Sequence, residues 1–108
     1  MAENYFYARE KLWAASEILM TQSGGDRDKI KNAYLYYLFY LDKDKLPVSC
    51  HSDFDYLEKT LANESKTPEW DKKENRYGSI EWACRSLNSN SIKKSKQCIW
   101  NIFSEVCH

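Results

Sequence analysis

The sequence predicts an all-α fold, a single compact bundle of about five helices over residues 1–108. Three observations lead there. Apolar residues recur at spacings of three and four in separate segments along the chain, the mark of helix faces. No segment alternates apolar and polar residues long enough to require a strand. The run Ala33-Tyr34-Leu35-Tyr36-Tyr37-Leu38-Phe39-Tyr40-Leu41 is apolar or aromatic without a break, and a helix apolar all round is normally buried on most sides. That run is expected to be the central helix, with the other helices packed around it.

The first helix is expected over about residues 4–22. Asn4 is placed to accept a hydrogen bond from a first-turn amide. Tyr5, Ala8, Leu12, Ala15 and Leu19 make one face, and Phe6, Trp13 and Met20 form a flanking row with a spacing of seven. Ser23-Gly24-Gly25 ends it, since glycine tolerates the left-handed conformation that closes a helix. Asp26 is expected to cap a second helix over 27–41, with Asp28 in its first turn near the positive end of the dipole. Leu46-Pro47 opens a third helix over 47–62, where the missing proline N–H costs nothing. Its inner face is Cys50, Phe54, Leu57 and Leu61.

Residues 63–78 are polar, contain Pro68 and keep no period, so they read as an irregular loop anchored by Trp70 and Tyr77. Ser79 is expected to cap a short helix over 80–87, buried through Ile80, Ala83, Cys84 and Leu87. The turn cluster Asn88-Ser89-Asn90-Ser91 supplies the cap of the last helix, 91–106, with Ile92, Ser95, Ile99, Ile102 and Val106 inward.

The motifs Ala8-Arg9-Glu10-Lys11-Leu12, Gly25 with Arg27 and Ile30, Ala33-Tyr34, Leu46-Pro47 leading to Phe54, Gly78-Ser79-Ile80, and Leu87 occur in this order. Through them the chain resembles a class of short all-helical bacterial proteins. The resemblance implies an all-helical fold and a bacterial cytosolic origin, and it carries over no catalytic residue. The segment from Lys66 to Tyr77 does not follow the pattern.

Charge and composition narrow the function classes. Sixteen basic groups balance 16 acidic ones, which argues against a dedicated non-specific nucleic-acid binder. No apolar stretch approaches the roughly 20 residues of a membrane span. The start of the chain lacks a signal-peptide pattern, so a cytoplasmic location with reduced thiols is expected for Cys50, Cys84, Cys98 and Cys107. Cys50-His51 and Cys107-His108 are adjacent pairs without the spacing of a zinc site, so no metal is expected. His51 is next to Cys50 in sequence, but neighbours on a helix do not face each other. With no nucleophile–base–orienter set and no phosphate-cradling glycine loop, the expectation is no catalytic residues, no cofactor and no enzyme.

The aromatic content, four Phe, four Trp and eight Tyr, exceeds what one small core needs. Interface hot spots are enriched in such residues. The expected function is therefore a non-enzymatic helical protein–protein interaction module, binding a protein partner or a second copy. An accessory subunit of a bacterial assembly, in phage defence or on a mobile element, is the role such a module would fill. Its contact residues are expected to be Phe6, Trp13, Met20, Tyr34, Tyr36, Tyr37 and Tyr40, as a patch between the first two helices. The alternative is a nucleic-acid-binding adaptor using Arg76, Arg85, Lys93, Lys94, Lys96 and Trp100, where cations interleave with an aromatic ring.

Overall fold

The structure, a computed structural model, describes residues 5–62 and 76–107, with the backbone alone for 76–79. It is all-α, with five helices among the described residues. They are α1 (Phe6–Thr21), α2 (Asp26–Tyr36), α3 (His51–Leu61), α4 (Arg76–Arg85) and α5 (Ser89–Val106). Among these residues no helix is long and apolar enough to cross a membrane.

The contacts run α1 on α2, α1 on α5, α3 on α5, and α2 on α4. Together the helices enclose one apolar cluster. Leu12 and Ala15 enter it from α1, Ile30 and Ala33 from α2, and Leu57 and Leu61 from α3. Ile80 and Cys84 come from α4, and Ile99 and Ile102 from α5. These are the faces that the three-four spacing selects, because side chains three and four apart stack on one side of a helix.

Two arginines close helix ends across the bundle. Arg9 Nε donates to the Val106 carbonyl at 2.8 Å, at the end of α5. Arg27 Nε donates to the Leu87 carbonyl at 2.7 Å, just past α4. The last carbonyls of a helix have no partner within it, so a cation there satisfies an orphan acceptor and faces the negative end of the dipole. Arg9 also fixes the antiparallel course of α1 and α5, because it joins the first turn of one to the last turn of the other.

The expected central helix is shorter than the apolar run suggests. Helix α2 ends at Tyr36, Tyr37 leaves the helical region (φ −130°, ψ −56°), and Leu38–Tyr40 forms a 3-10 turn. The cause is packing. Eight large side chains in a row on one continuous helix would point all round it, and the neighbouring elements cover only part of the circumference. A tighter turn changes the angular step between residues. Leu38 and Leu41 face inward as a result, while Tyr36 and Tyr40 remain exposed.

Other boundaries also move. Gly25, not Asp26, holds the N-cap position of α2, and Asp26 lies in the first turn, where its charge suits the dipole. Helix α3 is preceded by a 3-10 turn, Val48–Cys50, for which Pro47 is the N-cap residue. Ser79 is not a cap, since α4 already begins at Arg76 and runs through it. Helix α5 begins at Ser89, and the Asn88 side chain accepts the Ser91 amide at 2.8 Å. The expected cap at Asn4 and the loop residues 63–75, including Trp70, lie outside the described residues, as does the Tyr77 side chain.

Candidate protein interface

On its inner face α1 supplies core residues, and its two flanks carry different aromatic clusters. One flank meets the Tyr37–Tyr40 region. There the Lys11 ammonium lies over three rings, 5.3 Å from Tyr7, 5.7 Å from Tyr37 and 6.0 Å from Tyr40. A cation over several aromatic faces is held by their quadrupoles. This box is already filled by the chain's own lysine, which accounts for part of the tyrosine surplus without any partner.

The other flank of α1 meets α5. Trp13 stands edge-on to Phe103, with centroids 5.1 Å apart and planes at 83°. Trp100 stacks on the same Phe103 at 5.5 Å and 22°. Both are favourable geometries for aromatic pairs. The rings border an apolar cleft of about 130 Å³, completed by Leu19, Met20 and Ile99, with Glu17 and Lys96 at its edge. Its walls are open to solvent: Trp13 is 57 % exposed, Trp100 54 % and Met20 73 %. Phe6, at the start of the same helix, is 64 % exposed.

The residues expected to form one patch are therefore divided. Trp13 and Met20 face α5, not α2, because they occupy the opposite flank of α1 from Lys11. Tyr37 and Tyr40 belong to the lysine box, and Tyr36 is exposed at the end of α2. Tyr34 is 2 % exposed and lies in the core, because it shares the inward face of α2 with Ile30 and Ala33. Phe103, outside the expected contact set, is the ring on which both tryptophans meet. Its place beside the last helix's inner row was legible, but its meeting with Trp13 joins opposite ends of the chain and leaves no trace in local spacing.

The cations of the alternative surface are scattered. Arg85 pairs with Glu81 at 2.9 Å, and its guanidinium lies 5.1 Å from the Trp82 ring. Lys94 lies 4.6 Å from the Tyr56 ring on α3. Lys96 is 3.5 Å from Asp26, and Lys93 is exposed. The Arg76 side chain lies outside the described residues. Trp100 belongs to the aromatic cleft, where Lys96 also lies. A second, larger cleft of about 500 Å³ lies between the start of α2 and α4. Its lining mixes Asp26, Asp28 and Glu81 with Arg27, Lys31 and Arg85, so it presents no field of a single sign.

The reactive groups are occupied or suppressed. Cys50, Cys84 and Cys98 are buried, and all four cysteines are free thiols. Burial pushes the Cys84 thiol up to about 12. Burial also pushes Cys98 up to about 12, helped by a hydrogen bond to Asp53. A His51 ring nitrogen is 3.2 Å from the Leu46 carbonyl. Among the described residues no group of three or more His, Cys, Asp or Glu side chains is placed to hold a metal ion. No family model, curated protein or solved structure matches the chain.

Proposed function

We propose that this protein is a helical protein–protein interaction module whose contact surface is the aromatic cleft between α1 and α5. The observation that carries the proposal is the Trp13–Phe103–Trp100 cluster, two tryptophans more than half exposed around one phenylalanine. Exposed apolar side chains scattered singly are ordinary, but a contiguous group of them usually marks a binding site. Tryptophan is also among the residue types enriched at interface hot spots.

Size favours a side chain over a metabolite as the occupant. Small-molecule sites commonly enclose about 300–1,000 Å³. The cleft of about 130 Å³ is close to the volume that holds one benzene-sized ring, about 150 Å³. A single apolar anchor from a partner would fill it, and Glu17 and Lys96 would form the polar rim. A thiol-based enzyme is disfavoured because thiolate is the reactive form, and burial holds Cys84 and Cys98 protonated far above neutral pH.

The test is affinity capture from a lysate of the source organism, with the wild type and a Trp13→Ala/Trp100→Ala variant in parallel. A defined protein retained by the wild type and lost by the variant is the expected result. Recovery of nuclease-sensitive material that depends on Lys93, Lys94 and Lys96 instead would overturn the proposal in favour of nucleic-acid binding. In a direct titration, that alternative requires affinity tighter than about 1 µM at physiological salt and a steep loss as salt rises.

A further inference from the structure

The outer surfaces of α1 and α5 share a pattern that a lone chain covers only in part. Along α1, Phe6, Glu10, Trp13, Glu17 and Met20 follow one another at spacings of four and three. Along α5, Lys93, Lys96, Trp100 and Phe103 do the same, and Cys107 just past its end continues the spacing. This is the repeat of a helix-pairing seam. The two helices run antiparallel and already meet at one point of these seams, Trp13 on Phe103, while Phe6, Glu10, Met20, Lys93 and Trp100 stay exposed on the same side of the bundle. Their charges are opposite in sign: α1 carries Glu10 and Glu17 there, and α5 carries Lys93 and Lys96.

Resting on the interaction reading above, we propose that the occupant of the cleft is a second copy of this chain. The two copies are related by a two-fold axis parallel to α1 and α5. Such an axis lays α1 of one copy against α5 of the other, antiparallel and at the same height. Glu17 and Lys96 line one cleft, and the register set by Arg9 on Val106 and Trp13 on Phe103 places them within about one helical turn of each other in height. The axis therefore brings Glu17 to the partner's Lys96, twice over, while Trp13 meets the partner's Trp100 and Phe103. The product is a four-helix bundle of α1 and α5 from both copies with alternating directions. A two-fold axis across the helices would instead set α1 on α1 and bring Glu10 near the partner's Glu17. Like charges there disfavour it.

Two further facts agree with self-association. The net charge is zero, so no net charge opposes association of two copies. Lys96 makes an exposed contact to Asp26 at 3.5 Å, and such surface pairs are weak enough to be exchanged for a partner's carboxylate. The size of the seam sets the strength. Its exposed Phe, Trp and Met side chains offer on the order of 400 Å² of apolar surface per copy, from the area that each ring buries when covered. Twice that, with a rim added, falls at the low end of specific interfaces, which span about 1,200–2,000 Å². An interface of this size is expected to form a reversible dimer.

Sedimentation velocity on the wild type, Glu17→Lys, Lys96→Glu and the doubly swapped Glu17→Lys/Lys96→Glu chain tests this directly. The wild type is expected to shift from monomer to dimer between about 1 and 500 µM, the range a small interface implies. Each single swap should weaken association by about tenfold or more, because it sets like charges together, and the double swap should restore it. A wild type that stays monomeric throughout, or a double swap as weak as either single one, would overturn the proposal. The interaction reading fails separately. A monomer that binds a defined heterologous protein through Trp13 and Trp100 refutes only the second copy. A monomer that unfolds on losing Trp100 refutes both.

Discussion

The thiols and Ser95 show how single residues report burial. Cys50, Cys84 and Cys98 are inside, and Cys107 is only partly covered. Under native conditions a thiol reagent should modify Cys107 first and the other three slowly, and all four should react rapidly in denaturant. Equal rates for all four in the native protein would contradict the helix faces. The same burial sets a pH dependence. The Cys84 and Cys98 thiols ionise near 12 in the fold against an ordinary 9.0. Below pH 8 both states are protonated and stability is unaffected. From about pH 9 upward the unfolded chain loses these protons while the fold keeps them, so stability falls as pH rises toward 12. Burial raises Tyr34 above its ordinary range as well, which adds a loss of the same sign. A thermal midpoint flat across pH 9–11 would contradict this. The Ser95 hydroxyl is fully buried and has no partner among the described residues. Burying an unpaired hydroxyl costs about 1–3 kcal/mol, so Ser95→Ala should stabilise the protein by about 1 kcal/mol in denaturant unfolding. Cys50 and Cys84 were legible as core from spacing alone. Tyr34 was not, because an unbroken apolar run shows no face, and only packing reveals which of its rings turn inward.

At the scale of elements, boundaries depend on local chemistry that competes with tertiary contacts. The start of α5 is set by Asn88, whose side chain accepts the Ser91 amide at 2.8 Å. Replacing such a cap by alanine costs about 0.5–2 kcal/mol. Asn88→Ala should lower unfolding stability by about 1 kcal/mol, and Asn88→Asp should recover most of it, since aspartate caps as well as asparagine. An alanine variant as stable as the wild type would show that the cap contributes nothing. The faces of α1, α3 and α5 were readable because each alternates apolar and polar residues with the helical period. The end of α2 was not, since the break at Tyr37 and the 3-10 turn after it answer to coverage by neighbours rather than to any breaker residue. Ser79 has the chemistry of a cap, yet it lies within α4, which begins three residues earlier at Arg76.

Taken whole, the molecule places eight of its 16 aromatic residues in three groups. Tyr34 and Phe54 are core, Tyr7, Tyr37 and Tyr40 surround Lys11, and Trp13, Phe103 and Trp100 line an open cleft. The surplus was visible in composition, and the row of Phe6, Trp13 and Met20 was visible on α1. What covers that row could not be read from the chain, because α5 arrives beside α1 only when the bundle closes. The central claim is that the cleft tryptophans serve contact and not the fold. Denaturant unfolding of Trp100→Ala and Phe54→Ala measures it, at nanomolar protein so that self-association adds little to stability. Phe54 is buried, and truncating a buried phenylalanine costs about 3–5 kcal/mol. Trp100 forfeits mainly its stacking on Phe103, so its loss should be about 1 kcal/mol. A Trp100→Ala loss as large as that of Phe54→Ala would make Trp100 a core residue and contradict the claim.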